Sequence, residues 1–198
     1  MPPQRAPDRQ RAIAEQNVDA ILDAVEELLE RRGQASISAV AQQAGLSRVT
    51  VYSHFPAWGA LLEAAVARAV ARTMAVLDAA GVNEGPPVEA LDRMLAAAWR
   101  HLARYSAMAQ AVAEQLSPEA VTRTHQAAHQ TIGALVQRGQ SDGSFRTDVP
   151  AGWLITASIA LIHACADEVR AGRINDGDAA GILSATVRDL FTGSGRPS

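Results

Sequence analysis

Residues 36–62 read SISAVAQQAGLSRVTVYSHFPAWGALL, and the fold follows from how this stretch divides. Ser36 is a helix N-cap, because its hydroxyl can accept from the free N–H groups of a first turn. Ile37, Val40, Ala41 and Ala44 then recur on one face at helical spacing. Gly45 stands where that helix must stop, and glycine takes the positive φ of such a turn without steric cost. Leu46 plugs the space between two helices, and Ser47 caps the second. That helix, residues 48–54, is short. Val49, Val51 and the following Phe55 are apolar, whereas Arg48, Thr50, Tyr52, Ser53 and His54 can hydrogen-bond. Pro56 cannot sit inside it, so a third helix opens at about residue 57. Two short helices joined by a tight glycine turn predict a helix-turn-helix, whose second helix can enter the DNA major groove.

The flanking sequence is helical throughout. Before the motif, Val18, Ile21, Leu22, Val25, Leu28 and Leu29 form an apolar stripe over residues 11–32. Its acidic residues fall on other faces and should point away from DNA. After the motif, residues 57–80 form a helix long enough to serve two domains. GVNEGPP, residues 81–87, breaks the chain. Further helices are expected over 88–104, 106–116, 117–140, 151–171 and 178–191, with a loop at 139–150. Residues 1–10 predict a disordered arm, read either as a solvated tail or as a DNA contact through Arg5, Arg9 and Arg11.

Composition agrees with an all-α protein. The chain has 198 residues, 48% apolar and 20% charged, with abundant Ala and few aromatics. No apolar run approaching the ~20 residues of a membrane span is expected, and no signal peptide is evident. A cytoplasmic location follows from that reading. A single cysteine, Cys165, precludes an internal disulfide. The net charge of −3 does not advertise nucleic-acid binding, but a small interface patch decides that question rather than the total. All 18 basic residues are Arg; that suits phosphate and guanine contacts and equally fits a bias in genome base composition.

The run SISAVAQQAG, then LSRVTVYSHF, then Pro56 and a new helix opening with Leu61-Leu62, resembles the DNA-binding domain of the TetR family of bacterial repressors. The Thr50-Val51-Tyr52-x-His54-Phe55 segment is its most specific part. The GSFRxD run at 143–148 also looks like the segment that precedes a late helix in many such proteins. The resemblance implies an N-terminal three-helix helix-turn-helix DNA-binding domain, residues 11–57, and a C-terminal helical ligand-binding and dimerisation domain, residues 58–192, with a flexible tail at 193–198. The family usually carries a Lys two residues after the Pro, on a DNA phosphate. Trp58 stands there in this chain, against the sugar-phosphate backbone or simply packed.

Arg48, in the first turn of the recognition helix, can fork onto guanine O6 and N7. By the resemblance, Ser47, Thr50, Tyr52 and His54 donate to phosphates or bases, and Val49 touches a thymine methyl. Ser36, Gln42, Gln43 and Trp58 complete the expected DNA-contacting set. The partner is double-stranded DNA with a palindromic operator, bound by a homodimer. The dimer pairs the helices near 151–171 and 178–191, which are apolar on more faces than one chain can cover. The family places a small-molecule pocket in the C-terminal domain. Met74, Met94, Trp99, Tyr105, Met108, His125, His129, Trp153 and Cys165 could line it, or be plain core.

His125 and His129, spaced i, i+4, suit one helix-face chelate. No cysteine or carboxylate with convincing spacing accompanies them, so no metal and no cofactor is expected. No Ser–His–Asp, phosphate loop, HExxH or CxxC pattern appears, so no enzyme is expected. The function predicted is a ligand-responsive repressor. Two rivals stand beside it: a helical ligand-binding or adaptor protein of the same fold that no longer binds DNA, and a helical-bundle enzyme using His125 and His129.

Overall fold

The structure is a computed structural model that describes residues 5–32, 35–112 and 115–193. Its helices are α1 (Arg5–Arg32), α2 (Ile37–Gln43), α3 (Arg48–His54), α4 (Trp58–Ala79), α5 (Pro87–Val112), α6 (Pro118–Ser141), α7 (Ala151–Arg170) and α8 (Asp176–Thr192). No strand occurs among the described residues. The chain divides into two compact units, Met1–Ala67 with Ala107–Val121, and Arg68–Ser106 with Thr122–Ser198. The divisions fall inside α4, α5 and α6, whereas the sequence placed a single boundary at residue 57.

The first unit is built on α1. Ile21, Leu22, Val25, Leu28 and Leu29 are buried, as are Ile37, Val40 and Ala41 of α2, Val51 of α3, Phe55, and Leu61, Leu62 and Ala65 of α4. Each fully buried Leu, Ile or Val contributes about 1.5–3 kcal/mol. That makes this small cluster sufficient to hold two helices of seven residues each. α1 begins at Arg5, six residues before the expected start, so the predicted disordered arm is helical from Arg5 onward. Pro7 does not prevent this, because it falls in the first turn, where a backbone N–H has no helical partner. Residues 1–4 and most of the predicted tail, 194–198, lie outside the described residues.

The second unit packs α7 and α8 with parts of α4, α5 and α6 around Leu91, Leu95, Leu135, Leu154, Val187 and Phe191. Phe145 and Phe191 meet edge to face, with centroids 5.1 Å apart. Two arginines secure the link after α4. Arg93 donates to the carbonyls of Ala80 (3.0 Å), Gly81 (2.9 Å) and Glu84 (2.7 Å), and Arg138 donates to those of Val82 (3.1 Å) and Asn83. The two helices expected over 88–104 and 106–116 form the single α5, because neither Gly nor Pro stands between them. α7 corrects the expectation of no membrane-length apolar run. By length and composition its 20 residues would suffice to cross a membrane. Its apolar character has another use: Leu154, Ile155, Ile162, Cys165 and Ala166 lie in the core of this unit.

Candidate nucleic-acid interface

The turn between α2 and α3 closes by backbone hydrogen bonds. After Ala44, Gly45 takes φ +68°, its N–H donates to Gln42 O (3.3 Å), and the Leu46 N–H donates to Ala41 O (2.9 Å). This paired pattern satisfies the last carbonyls of α2 and requires the left-handed residue that glycine supplies. Both predicted N-caps form. Ser36 Oγ accepts from Ala39 N at 3.3 Å, and Ser47 Oγ accepts from Thr50 N at 3.0 Å. Ser47 Oγ also shares a hydrogen bond with Thr50 Oγ1 at 2.9 Å.

Val51 and Phe55 turn inward and anchor α3, leaving the opposite side to solvent. Arg48, Val49, Tyr52 and Ser53 are exposed, and Thr50 and His54 are half-buried. Val49 is 78% exposed. Among the described residues Arg48 has no hydrogen-bond or ion-pair partner, so its guanidinium is uncommitted. The Ser53 hydroxyl donates back to Thr50 O at 2.8 Å.

Beyond Ser36, Ser47 and Thr50, two further members of the expected set are engaged within the protein. Gln43 Nε2 donates to Glu27 Oε2 at 2.8 Å, and the other oxygen of Glu27 accepts from Arg31 at 2.6 Å. Gln42 is exposed. The half-buried Trp58 donates its indole N–H to Gln115 Oε1 at 2.7 Å. Sequence reading missed Glu27 and Gln115 because these partners lie 16 and 57 residues away, with no local signal.

The expected ligand-lining residues do not gather into one group. Met94, Trp99 and Cys165 are buried in the core of the second unit, with Met74 packed against it. The indole N–H of Trp99 is buried and has no partner among the described residues. Tyr105 is half-buried, and desolvation pushes its phenol well above the ordinary tyrosine range. Burial, then the charge of Glu168, pushes the Cys165 thiol up. Met108 is buried but belongs to the first unit. Trp153 is 58% exposed and His129 is exposed, so neither lines an interior. The side chain of His125 lies outside the described residues. No metal-binding cluster of His, Cys, Asp or Glu occurs among the described residues.

A helix-turn-helix with an exposed recognition helix, on an all-helical chain with a second helical unit, defines a DNA-binding regulator of transcription. Comparison with known proteins narrows the class. The profile for bacterial regulatory proteins of the tetR family matches residues 21–65, and that for the SbtR-like transcriptional regulator C-terminal domain matches residues 86–187. The chain belongs to the TetR family. Among solved structures it is similar to a TetR-family regulator from Rhodococcus sp. (22% identity, 90% of this chain and 100% of that one, TM-score 0.73). It is also similar to the TetR-family regulator PfmR from Thermus thermophilus (24% identity, 89% and 99%, TM-score 0.70). A third is LfrR from Mycobacterium smegmatis, solved in complex with proflavine (20% identity, 92% and 98%, TM-score 0.67). At these identities the likeness is one of fold. No curated protein matches the chain.

Proposed function

We propose that this regulator is a ligand-responsive repressor that binds a palindromic operator as a homodimer. The observation that carries the DNA reading is the uncommitted Arg48 beside the exposed Val49 in the first turn of α3, backed by buried Val51 and Phe55. Arg48 forks onto guanine, Val49 lies against a thymine methyl, and Ser36, Ser47, Thr50, Tyr52 and His54 make the remaining polar contacts. Gln42 reaches phosphate. Gln43 acts through Glu27 to hold α2 against α1, and Trp58 packs.

For the ligand, support comes from the interior of the second unit. Met74, Met94 and Trp99 offer adaptable apolar surface. Thr73 and Ser158, the buried polar residues among those described, donate to carbonyls of their own helices. That leaves the Trp99 N–H and Arg138 Nε–H as buried donors without a partner among the described residues; the Trp99 N–H, set in the apolar core, suits an apolar ligand with a hydrogen-bond acceptor. LfrR offers a precedent, since its structure contains proflavine. α4 supplies residues to both units and is the coupling element. Ligand and operator favour different settings of α4, so each weakens the other by one coupling energy.

Selection from a random duplex library, followed by sequencing, tests this reading. An enriched palindrome is expected. An enriched asymmetric site removes the dimeric-operator reading. No enrichment, from protein refolded to strip any bound ligand, favours a relative of the same fold that does not bind DNA.

A further inference from the structure

Residues 33–62, which hold both helices of the motif and the opening turns of α4, carry one formal charge, Arg48. The surrounding sequence does not compensate. Six Arg stand against eight Asp and Glu in residues 1–67. Arg11 is held by Glu15 at 2.9 Å and Arg31 by Glu27 at 2.6 Å. Position 58 holds Trp58, whose N–H is committed to Gln115.

Non-specific DNA binding comes almost entirely from cations on phosphates and the counterions they release. A dimer of this chain neutralises about two phosphates through the motif if both Arg48 side chains lie on the backbone, and fewer if they read bases. Contact with the backbone then falls to neutral donors. Ser36 Oγ accepts from Ala39 N, which leaves its own O–H to donate. Ser47 and Thr50 share one hydrogen bond between two hydroxyls, so one O–H of the pair remains free. The phenol of Tyr52 is exposed. Such groups position the protein on the duplex without releasing ions. We propose that this interface is electrostatically sparse: it selects its operator by direct contact, holds other DNA weakly, and loses little operator affinity as salt rises.

The inference rests on the DNA-binding reading above, and one experiment separates the two. Affinity of the full-length protein is measured for the selected operator and for a scrambled duplex between ~50 and ~200 mM salt. With about two phosphates neutralised the operator affinity falls roughly tenfold, and roughly hundredfold if Arg9 of α1 adds one contact per protomer. A protein making ~6–10 phosphate contacts loses ~10³–10⁵. A thousandfold loss overturns the sparse interface while leaving the operator reading intact. No selected sequence at low salt overturns both. Adding a cation should convert the protein toward ordinary behaviour. Trp58→Lys should steepen the log–log salt slope by about two per dimer and tighten binding to the scrambled duplex. Because that change also removes the bond to Gln115, Gln42→Arg, on the exposed end of α2, is measured beside it. An unchanged slope in both variants overturns the proposal, since these positions would then not face phosphate.

Discussion

At the scale of single residues, the recognition helix is decided by which side chains are spent on the protein and which are left over. Val51 and Phe55 are spent on the core, and Ser47 on its cap. Arg48 is left over. On the proposed bidentate guanine contact, Arg48→Ala should therefore leave folding unchanged and cost about 1–3 kcal/mol at the operator alone. Binding to operators varied base by base checks this. An equal loss on every sequence, with a shallower salt slope, reassigns the side chain to phosphate. Tyr105 gives a second residue-scale test, of stability. Burial raises its folded-state pKa above the ordinary tyrosine value of about 10. Below that pH both folded and unfolded chains hold the proton, and the contribution of Tyr105 is complete. Above it the unfolded chain releases the proton first, so stability falls as pH rises through about 10, by at most ~1.4 kcal/mol per unit. Urea midpoints measured from pH 8 to pH 11 should decline, and the decline should be smaller in Tyr105→Phe.

At the scale of elements, glycines mark where two helices meet or turn. Gly45 holds φ +68° with open space where a Cβ would project. Gly45→Ala therefore suffers from backbone strain alone, roughly 1–2 kcal/mol. Gly139 is the opposite case. It lies inside α6, and a Cβ there would stand 2.1 Å from Phe145 Cδ2. Alanine would gain about 1 kcal/mol of helix propensity. Overpacking a ring already seated on Phe191 costs about 1–3 kcal/mol, so the net change should be destabilising. Thermal unfolding of Gly139→Ala checks the sign. Adding Phe145→Ala should make the pair less harmful than the sum of the single changes.

The contrast between the two glycines shows what was legible in the sequence. Gly45 stood between two caps and two apolar stripes, so its role was local and readable. Gly139 read as the start of a loop because its partner, Phe145, comes from a different segment. The same holds for Arg138, which binds carbonyls some 55 residues away, and for Trp58 with Gln115. In the candidate interface, caps and exposure followed from helical period, whereas the pairing of Gln43 with Glu27 did not. The expected ligand wall fared worst. Trp153 and Met74 look alike as apolar helix residues, and only tertiary packing exposes one and covers the other.

At the scale of the whole molecule, seven residues of α3 reach only a few base pairs, and the proposed palindromic operator calls for a second copy. The described structure offers a face for it. On α7, Trp153, Ala160 and Ala164 are exposed with Ala157 half-buried between them, at the spacing of one helical stripe. On α8, Gly181, Ile182 and Ala185 are exposed, with Ile182 at 45%. The opposite sides of both helices fill the core of the second unit, so the stripe is apolar surface that the described residues leave exposed. Its small residues permit the close approach of backbones that a two-fold helical interface favours. Charging this face should break the dimer without touching either core. Trp153→Arg with Ile182→Asp should sediment at the 20.9 kDa of one chain, keep its helical circular dichroism, and lose most operator affinity. A single recognition helix then binds alone, losing the partner site about 34 Å away along the duplex. A variant that stays dimeric would put the interface elsewhere on the molecule. One that sediments as a monomer yet holds the full palindrome as tightly as the parent would show that the two half-sites are read independently.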